Sequence, residues 1–147
     1  MRELDDITAE IVDASLKIHQ HIGPGLLESA YERVLAAELI RRGLKVERQR
    51  STDFDFDGLH FARAFRLDLL VEAIVAVEIK SVERLQQVHR AQLLTYLRLM
   101  RLPLGLLINF GGLTLRSGLV RIVNNLPPSQ SSRLGVNRHG FQFESED

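Results

Sequence analysis

The sequence predicts an α/β (α+β) domain whose elements run in the order α-α-β-β-β-α-β-β. Three observations carry this expectation. Apolar residues recur at helical spacing twice before Gly43, three strand-length segments follow between Leu44 and Lys80, and a further helical pattern precedes the apolar run 104-LGLLINF-110.

Asp5 and Asp6 can cap a first helix in which Ile7, Ile11, Ala14 and Ile18 form the stripe, and 23-GPG-25 breaks it. A second helix follows, with Leu27, Tyr31, Leu35 and Leu39 on its apolar side. Its wet side carries Glu38, Arg41 and Arg42, and Gly43 is its stop. From Leu44 to about Phe56 polar and apolar residues roughly alternate, which reads as one strand; 61–71 and 74–80 are two more. Helical signals return at Glu83, with Leu85, Val88, Gln92, Tyr96 and Leu99 marking one side of a helix that ends before Pro103. The run 104–110 reads as a strand buried on both faces, 111-GG-112 as a turn and 119–124 as a last strand. Residues 1–124 thus form one expected domain. Residues 125–147, with PPSQSSRLG and the acidic ESED, lack any core pattern and read as a loosely ordered tail.

Nineteen basic residues balance nineteen acidic ones in the 147-residue chain, so a polyanionic partner would have to be met by a local patch. The absence of cysteine removes disulfides, thiolate nucleophiles and zinc-thiolate sites. With no signal-peptide layout and no apolar run near the roughly 20 residues of a membrane span, a cytoplasmic protein without membrane contact is the expectation.

The segment 65-FRLDLLVEAIVAVEIKS-81 places Asp68, Glu78 and Lys80 inside strands otherwise suited to a core, where an unpaired charge is expensive. Alternation puts Leu67, Leu69 and Val71 on one face of the first strand, with Arg66, Asp68 and Leu70 on the other; in the second, Glu78 and Lys80 share a face with Ile74 and Ala76. A hairpin turning near Glu72 to Ile74 sets Asp68 opposite or nearly opposite Glu78, with two carboxylates about 5 Å apart at Cβ. A divalent cation resolves their repulsion, since Mg²⁺ or Mn²⁺ prefers hard oxygen ligands, and Lys80 could then hold an attacking water or offset charge on a phosphoryl group. The plainer alternative is a same-face Glu78–Lys80 salt bridge with Asp68 at a solvated strand end.

The layout of D, a gap and E-x-K on adjacent strands flanked by helices resembles the PD-(D/E)xK nuclease superfamily, and 25-GLLESAY-31 resembles the motif of its GxxExxY branch. The segments 23-GPGLLESAYE-32, 66-RLDLLV-71, 77-VEIKS-81, 91-AQLLTYL-97 and 105-GLLINF-110 resemble family segments in the same order, with Leu67 where the superfamily has proline. The resemblance implies a restriction-endonuclease-like core with a central mixed sheet. It makes Glu28, Asp68 and Glu78 metal ligands with the Ile79 carbonyl, and Lys80 the catalytic lysine. It also makes Gln92 and Tyr96 substrate contacts, resembling the Q-x-x-x-Y element of RecB-type nucleases. For Glu28 the alternative is a helix-dipole role, and for Gln92 and Tyr96 a core tyrosine with a hydrogen-bonded neighbour. Tyr31 reads as core, and His19 as a solvated helix-end residue or a minor site member.

Two functional classes follow. One is a Mg²⁺-dependent nuclease, with Mn²⁺ as substitute, acting on DNA in repair, recombination or defence. The other is a non-catalytic nuclease-fold module that binds nucleic acid or a protein partner. A homodimer pairing strand 104–110 or the last strand fits either. Other motifs fail on inspection: 53-DFDFDG-58 opens like a calcium loop but has Ala64 where the bidentate glutamate belongs, and 111-GGLTLRSG-118 lacks a phosphate-loop ending.

Overall fold

The computed structural model describes residues 3–125, so the expected tail lies outside the described residues but for Asn125. The elements are α1 (Leu4–Ile22), α2 (Glu28–Arg41), β1 (Val46–Phe56), β2 (Leu59–Val71), β3 (Val75–Lys80), α3 (Gln87–Met100), β4 (Leu104–Asn109), a short 3₁₀ turn (Arg116–Gly118) and β5 (Leu119–Val123). That is the expected order. The five strands form one sheet in the order β1-β2-β3-β4-β5; β3 and β4 are parallel and the other pairs antiparallel. A parallel pair needs a crossover, and α3 supplies it.

Helices cover both faces. On one side α1 and α2 bury Ile7, Ile11, Tyr31 and Leu35 against Leu69, Val77, Ile79 and Ile108. On the other, Leu93 and Leu97 of α3 pack with Leu67, Leu70, Ala76 and Leu107. Full burial of each leucine contributes roughly 1.5–3 kcal/mol. Every residue of β4 is buried, as a strand covered on both faces must be. Gly105 lets α3 approach it: a Cβ there would stand 3.0 Å from Leu93 Cδ2.

Several expectations are corrected. Glu3, not Asp5 or Asp6, is the N-cap of α1, without a side-chain bond; the two aspartates lie in the first turn, and Asp5 pairs with Arg121 at 3.0 Å. Leu27 is the N-cap of α2 and is 77% exposed, because the helix begins one residue after it. The third helix starts at Gln87, where Gln86 and His89 form a reciprocal capping box, rather than at Glu83. Its buried stripe is Leu93 and Leu97, not Val88 and Leu99, which are exposed.

The alternation along β2 also slips. Leu67 packs on the α3 side while Leu69 and Val71 pack on the α1/α2 side. The slip falls at Asp68, whose side chain and amide are both drawn into bonds with β3, and opposite it Gln49 adopts a left-handed backbone (φ 53).

Candidate active site

The β2–β3 hairpin turns through Glu72 and Ala73, both left-handed, with Ile74 N–H donating to the Val71 carbonyl at 3.1 Å. The backbone ladder runs Val71↔Val75, Leu70↔Ala76, Leu69↔Val77 and stops. The next pair in that register is Asp68 and Glu78. There side chains replace the ladder: Asp68 N–H donates to Glu78 Oε1 at 3.0 Å, and Ile79 N–H donates to Asp68 Oδ2 at 2.8 Å. Each carboxylate is therefore bonded to the backbone of the opposite strand. The Glu78–Lys80 salt bridge does not form among the described residues, because the Glu78 carboxylate turns to the β2 backbone instead.

Crowding two acids here has an electrostatic cost. Burial first, and then the Asp68 charge, push the Glu78 carboxyl up to about 8. Asp68 is raised too, by burial and by the charges of Glu32 and Glu28, against the lowering effect of its Ile79 hydrogen bond and of Lys80. Lys80 lies near enough to favour ionisation of both.

Glu28 opens α2 and is exposed, and its Oε1 accepts from Ser81 N–H at 3.3 Å. Ser81 Oγ donates to the Leu26 carbonyl at 2.7 Å, so the start of α2 is fastened to the end of β3 just past Lys80. The loop before α2 is held by Tyr31, whose hydroxyl donates to the Gly23 carbonyl at 2.5 Å and accepts from Leu26 N–H at 3.2 Å. Tyr31 is fully buried and stacked on Phe110, as its core reading requires.

Gln92 and Tyr96 share a face of α3, and Gln92 Nε2 donates to the Tyr96 hydroxyl at 2.8 Å. Burial, then the Glu78 charge and less so that of Asp68, raise the Tyr96 phenol against the lowering effect of its Gln92 hydrogen bond. The Tyr96 ring stacks on Phe65, with centroids 4.5 Å apart. His19 is buried rather than solvated, with Nε2 2.9 Å from the Gly112 carbonyl. It braces the loop after β4 and stands apart from the carboxylates' bonds.

Two residues that sequence reasoning passed over belong to the surroundings. Glu32, one helical turn beyond Glu28, is 3% exposed, bonded to Arg48 at 2.9 Å and to Gln49, and its charge reaches Asp68. Its i+4 spacing from Glu28 was the available signal. Asn109 closes β4: its Oδ1 accepts from Val82 N–H and Gly111 N–H, both at 3.0 Å, and its Nδ2 donates to the Val82 carbonyl at 2.9 Å. That clamp fixes the chain after Lys80, and no sequence feature announces it.

Among the described residues, no three His, Asp or Glu side chains are gathered as a ready cation cage. What the fold assembles is the buried Glu78 carboxyl beside the half-buried Asp68 carboxyl, both disfavoured as anions, with the charges of Glu28 and Lys80 reaching them. This donor set suits a hard divalent ion. No described helix is long and apolar enough to cross a membrane.

A family model described as the PD-(D/E)XK nuclease superfamily matches residues 5–122. Among solved structures, one titled "Crystal structure of SSO0001" is 20% identical with a TM-score of 0.47, covering 87% of this chain and 66% of that one. The chain thus spans just under two thirds of that neighbour's length. No curated protein matches the chain.

Proposed function

The chain belongs to the PD-(D/E)XK nuclease superfamily, and from that premise we propose that it hydrolyses phosphodiester bonds in DNA with Mg²⁺, for which Mn²⁺ can substitute. Within the superfamily we assign it to the GxxExxY branch on 25-GLLESAY-31. One observation carries the reading: Glu78 Oε1 accepts from Asp68 N–H and Asp68 Oδ2 accepts from Ile79 N–H, while burial and neighbouring negative charge disfavour the ionised forms of both acids. An acid pair held in that state is stabilised by a cation, and nucleases of this superfamily generally depend on one.

Asp68 and Glu78 supply carboxylate oxygens, the Ile79 carbonyl a further donor, and Glu28 a ligand from α2 once it leaves Ser81 N–H. A bound divalent ion supplies a lowered pKa for an attacking water and polarises the phosphate. Lys80 positions that water or offsets charge on the phosphoryl oxygens. Gln92 and Tyr96 contact the substrate from α3, the hydroxyl and amide being already oriented by their mutual bond.

The test is cleavage of single-stranded, double-stranded and branched DNA, and of RNA, with and without Mg²⁺ or Mn²⁺. Asp68→Asn, Glu78→Ala and Lys80→Ala should each abolish turnover; activity that persists in all three would place the chemistry elsewhere.

The second reading, a non-catalytic module binding nucleic acid or protein, draws on the lack of a ready three-ligand cluster among the described residues. Calorimetry separates the two. Mn²⁺ binding that vanishes in Asp68→Asn favours the nuclease, and no Mn²⁺ heat in the wild type favours the module.

A further inference from the structure

The Glu32 carboxylate bonds two residues that regular strand geometry would keep apart. Neighbouring residues of an extended strand point to opposite faces. Arg48 and Gln49 are such neighbours in β1, yet both reach Glu32 of α2: Arg48 Nη2 donates to Oε2 at 2.9 Å and Gln49 Nε2 donates to Oε1. The backbone absorbs the conflict. Gln49 is left-handed at φ 53, a conformation that a residue with a Cβ holds only when its surroundings impose it.

The same level of the sheet is where β2 loses its alternation. Arg48 pairs with Leu69 and Arg50 with Leu67, so Gln49 falls opposite Asp68 with the register unbroken on either side. Leu69 belongs to the core under α1 and α2, and Leu67 to the core under α3. Paired residues share a face, so both strands change face together, at Gln49 and Asp68. β3 holds one half of this double slip, through Ile79 N–H donating to Asp68 Oδ2 at 2.8 Å. Glu32, 3% exposed, holds the other half from α2.

We propose that Glu32 is a positioning residue for Asp68: by gathering Arg48 and Gln49 onto one buried carboxylate it fixes the Gln49–Asp68 level of the sheet, and with it the direction of the Asp68 carboxyl toward β3. On the reading of Asp68 as a metal ligand, on which this part of the role rests, Glu32 sets the affinity of the site for a divalent cation without contributing an oxygen to it. Removing Glu32 does not turn the ribbon over, because Leu67 stays buried against α3. Arg48 is exposed and can turn to water. What loosens is the single level at which Gln49 has lost its anchor and still carries a Cβ.

The test combines hydrogen exchange at the Ile79 amide, followed by NMR on the metal-free full chain, with calorimetric titration of Mn²⁺. In Glu32→Ala the Ile79 amide should exchange at least about tenfold faster, and Mn²⁺ should bind at least about tenfold more weakly. Adding Gln49→Gly to that variant should recover most of both, because glycine holds φ 53 without an anchor. A residue needed only for stability would lower the Tm in Glu32→Ala and leave both readouts of the folded protein unmoved. Glu32→Gln, near in volume and keeping one acceptor, should show the same pattern with smaller losses, and it carries the test if the alanine variant does not fold. Ile79 exchange unchanged in both Glu32 variants, or no recovery on adding Gln49→Gly, would overturn the proposal. A wild type that takes up no Mn²⁺ would overturn the metal half of the role together with the nuclease reading, while the Ile79 amide still decides whether Glu32 positions Asp68.

Discussion

Tyr31 stacks on Phe110 with ring centroids 4.5 Å apart and planes 6° from parallel. One ring comes from the first turn of α2 and the other from the residue after β4, so a single contact joins the two segments that flank the candidate active site. Around it, Tyr31 holds the Gly23–Leu26 loop and Asn109 holds Val82. The carboxylate pair is thus framed by rigid parts, while Glu28, on the exposed start of α2, is the member with room to move.

Tyr31→Phe keeps the stack and removes the hydroxyl that bridges Gly23 and Leu26. Its expected cost is about 1–2 kcal/mol in chemical denaturation. Because that loop leads into Glu28, Mn²⁺ affinity measured by calorimetry should also fall, by a smaller factor than in Glu28→Gln.

The pH dependence of the metal-free protein should run downhill from acid to alkaline. An unfolded glutamate ionises near 4.5, whereas Glu78 in the fold is pushed up to about 8. Between those values the native chain keeps a proton that the unfolded chain has lost, so stability declines as pH rises through this window and levels beyond it. Glu78→Gln should flatten the slope and raise the Tm at pH 8, while eliminating Mn²⁺ binding. A wild-type profile that rises through the same window would contradict the buried-acid account.

Metal and protons should compete at this site. The increase in Tm caused by Mn²⁺ is expected to be larger near pH 8 than near pH 5, and binding should release protons, detectable as calorimetric heats that vary with the ionisation enthalpy of the buffer.

Asn109→Ala leaves Val82 N–H and Gly111 N–H without their shared acceptor. The expected loss is about 2–4 kcal/mol, from two orphaned donors at about 1–3 kcal/mol each, partly relieved by water. Gly111→Ala should be at least as damaging, because its Cβ would fall 2.3 Å from the Val82 carbonyl oxygen. Urea titration of both variants checks this.

Ala73 sits at φ 57 in the β2–β3 turn, a conformation that disfavours any residue with a Cβ by about 1–2 kcal/mol. Ala73→Gly relieves that strain at the expense of added freedom in the unfolded chain, about 0.4–1 kcal/mol. A net stabilisation of about 0.5–1 kcal/mol is expected, with the Asp68–Glu78 register unchanged.

Local chemistry determined a good deal of this protein. The order of elements, the stop at 23-GPG-25, the buried β4 and the placing of Asp68 opposite Glu78 all follow from periodicity and turn residues, which act over a few neighbouring positions. The i, i+4 pairing of Gln92 with Tyr96 is legible for the same reason. Other features depended on which distant surface arrives. Leu27 fits an apolar stripe yet is exposed, because α2 starts beyond it and no element among the described residues covers it. The face of α3 that is buried was chosen by its fit to β4 at Gly105 and Leu107. The slip at Asp68 arises only once a second strand offers amides to its carboxylate, and the roles of Glu32 and Asn109 exist only through partners 16 to 27 residues away in the chain. A single sequence records which side chains carry charge; the packed fold decides which of those charges must share a space from which water is excluded, and so which of them need a cation.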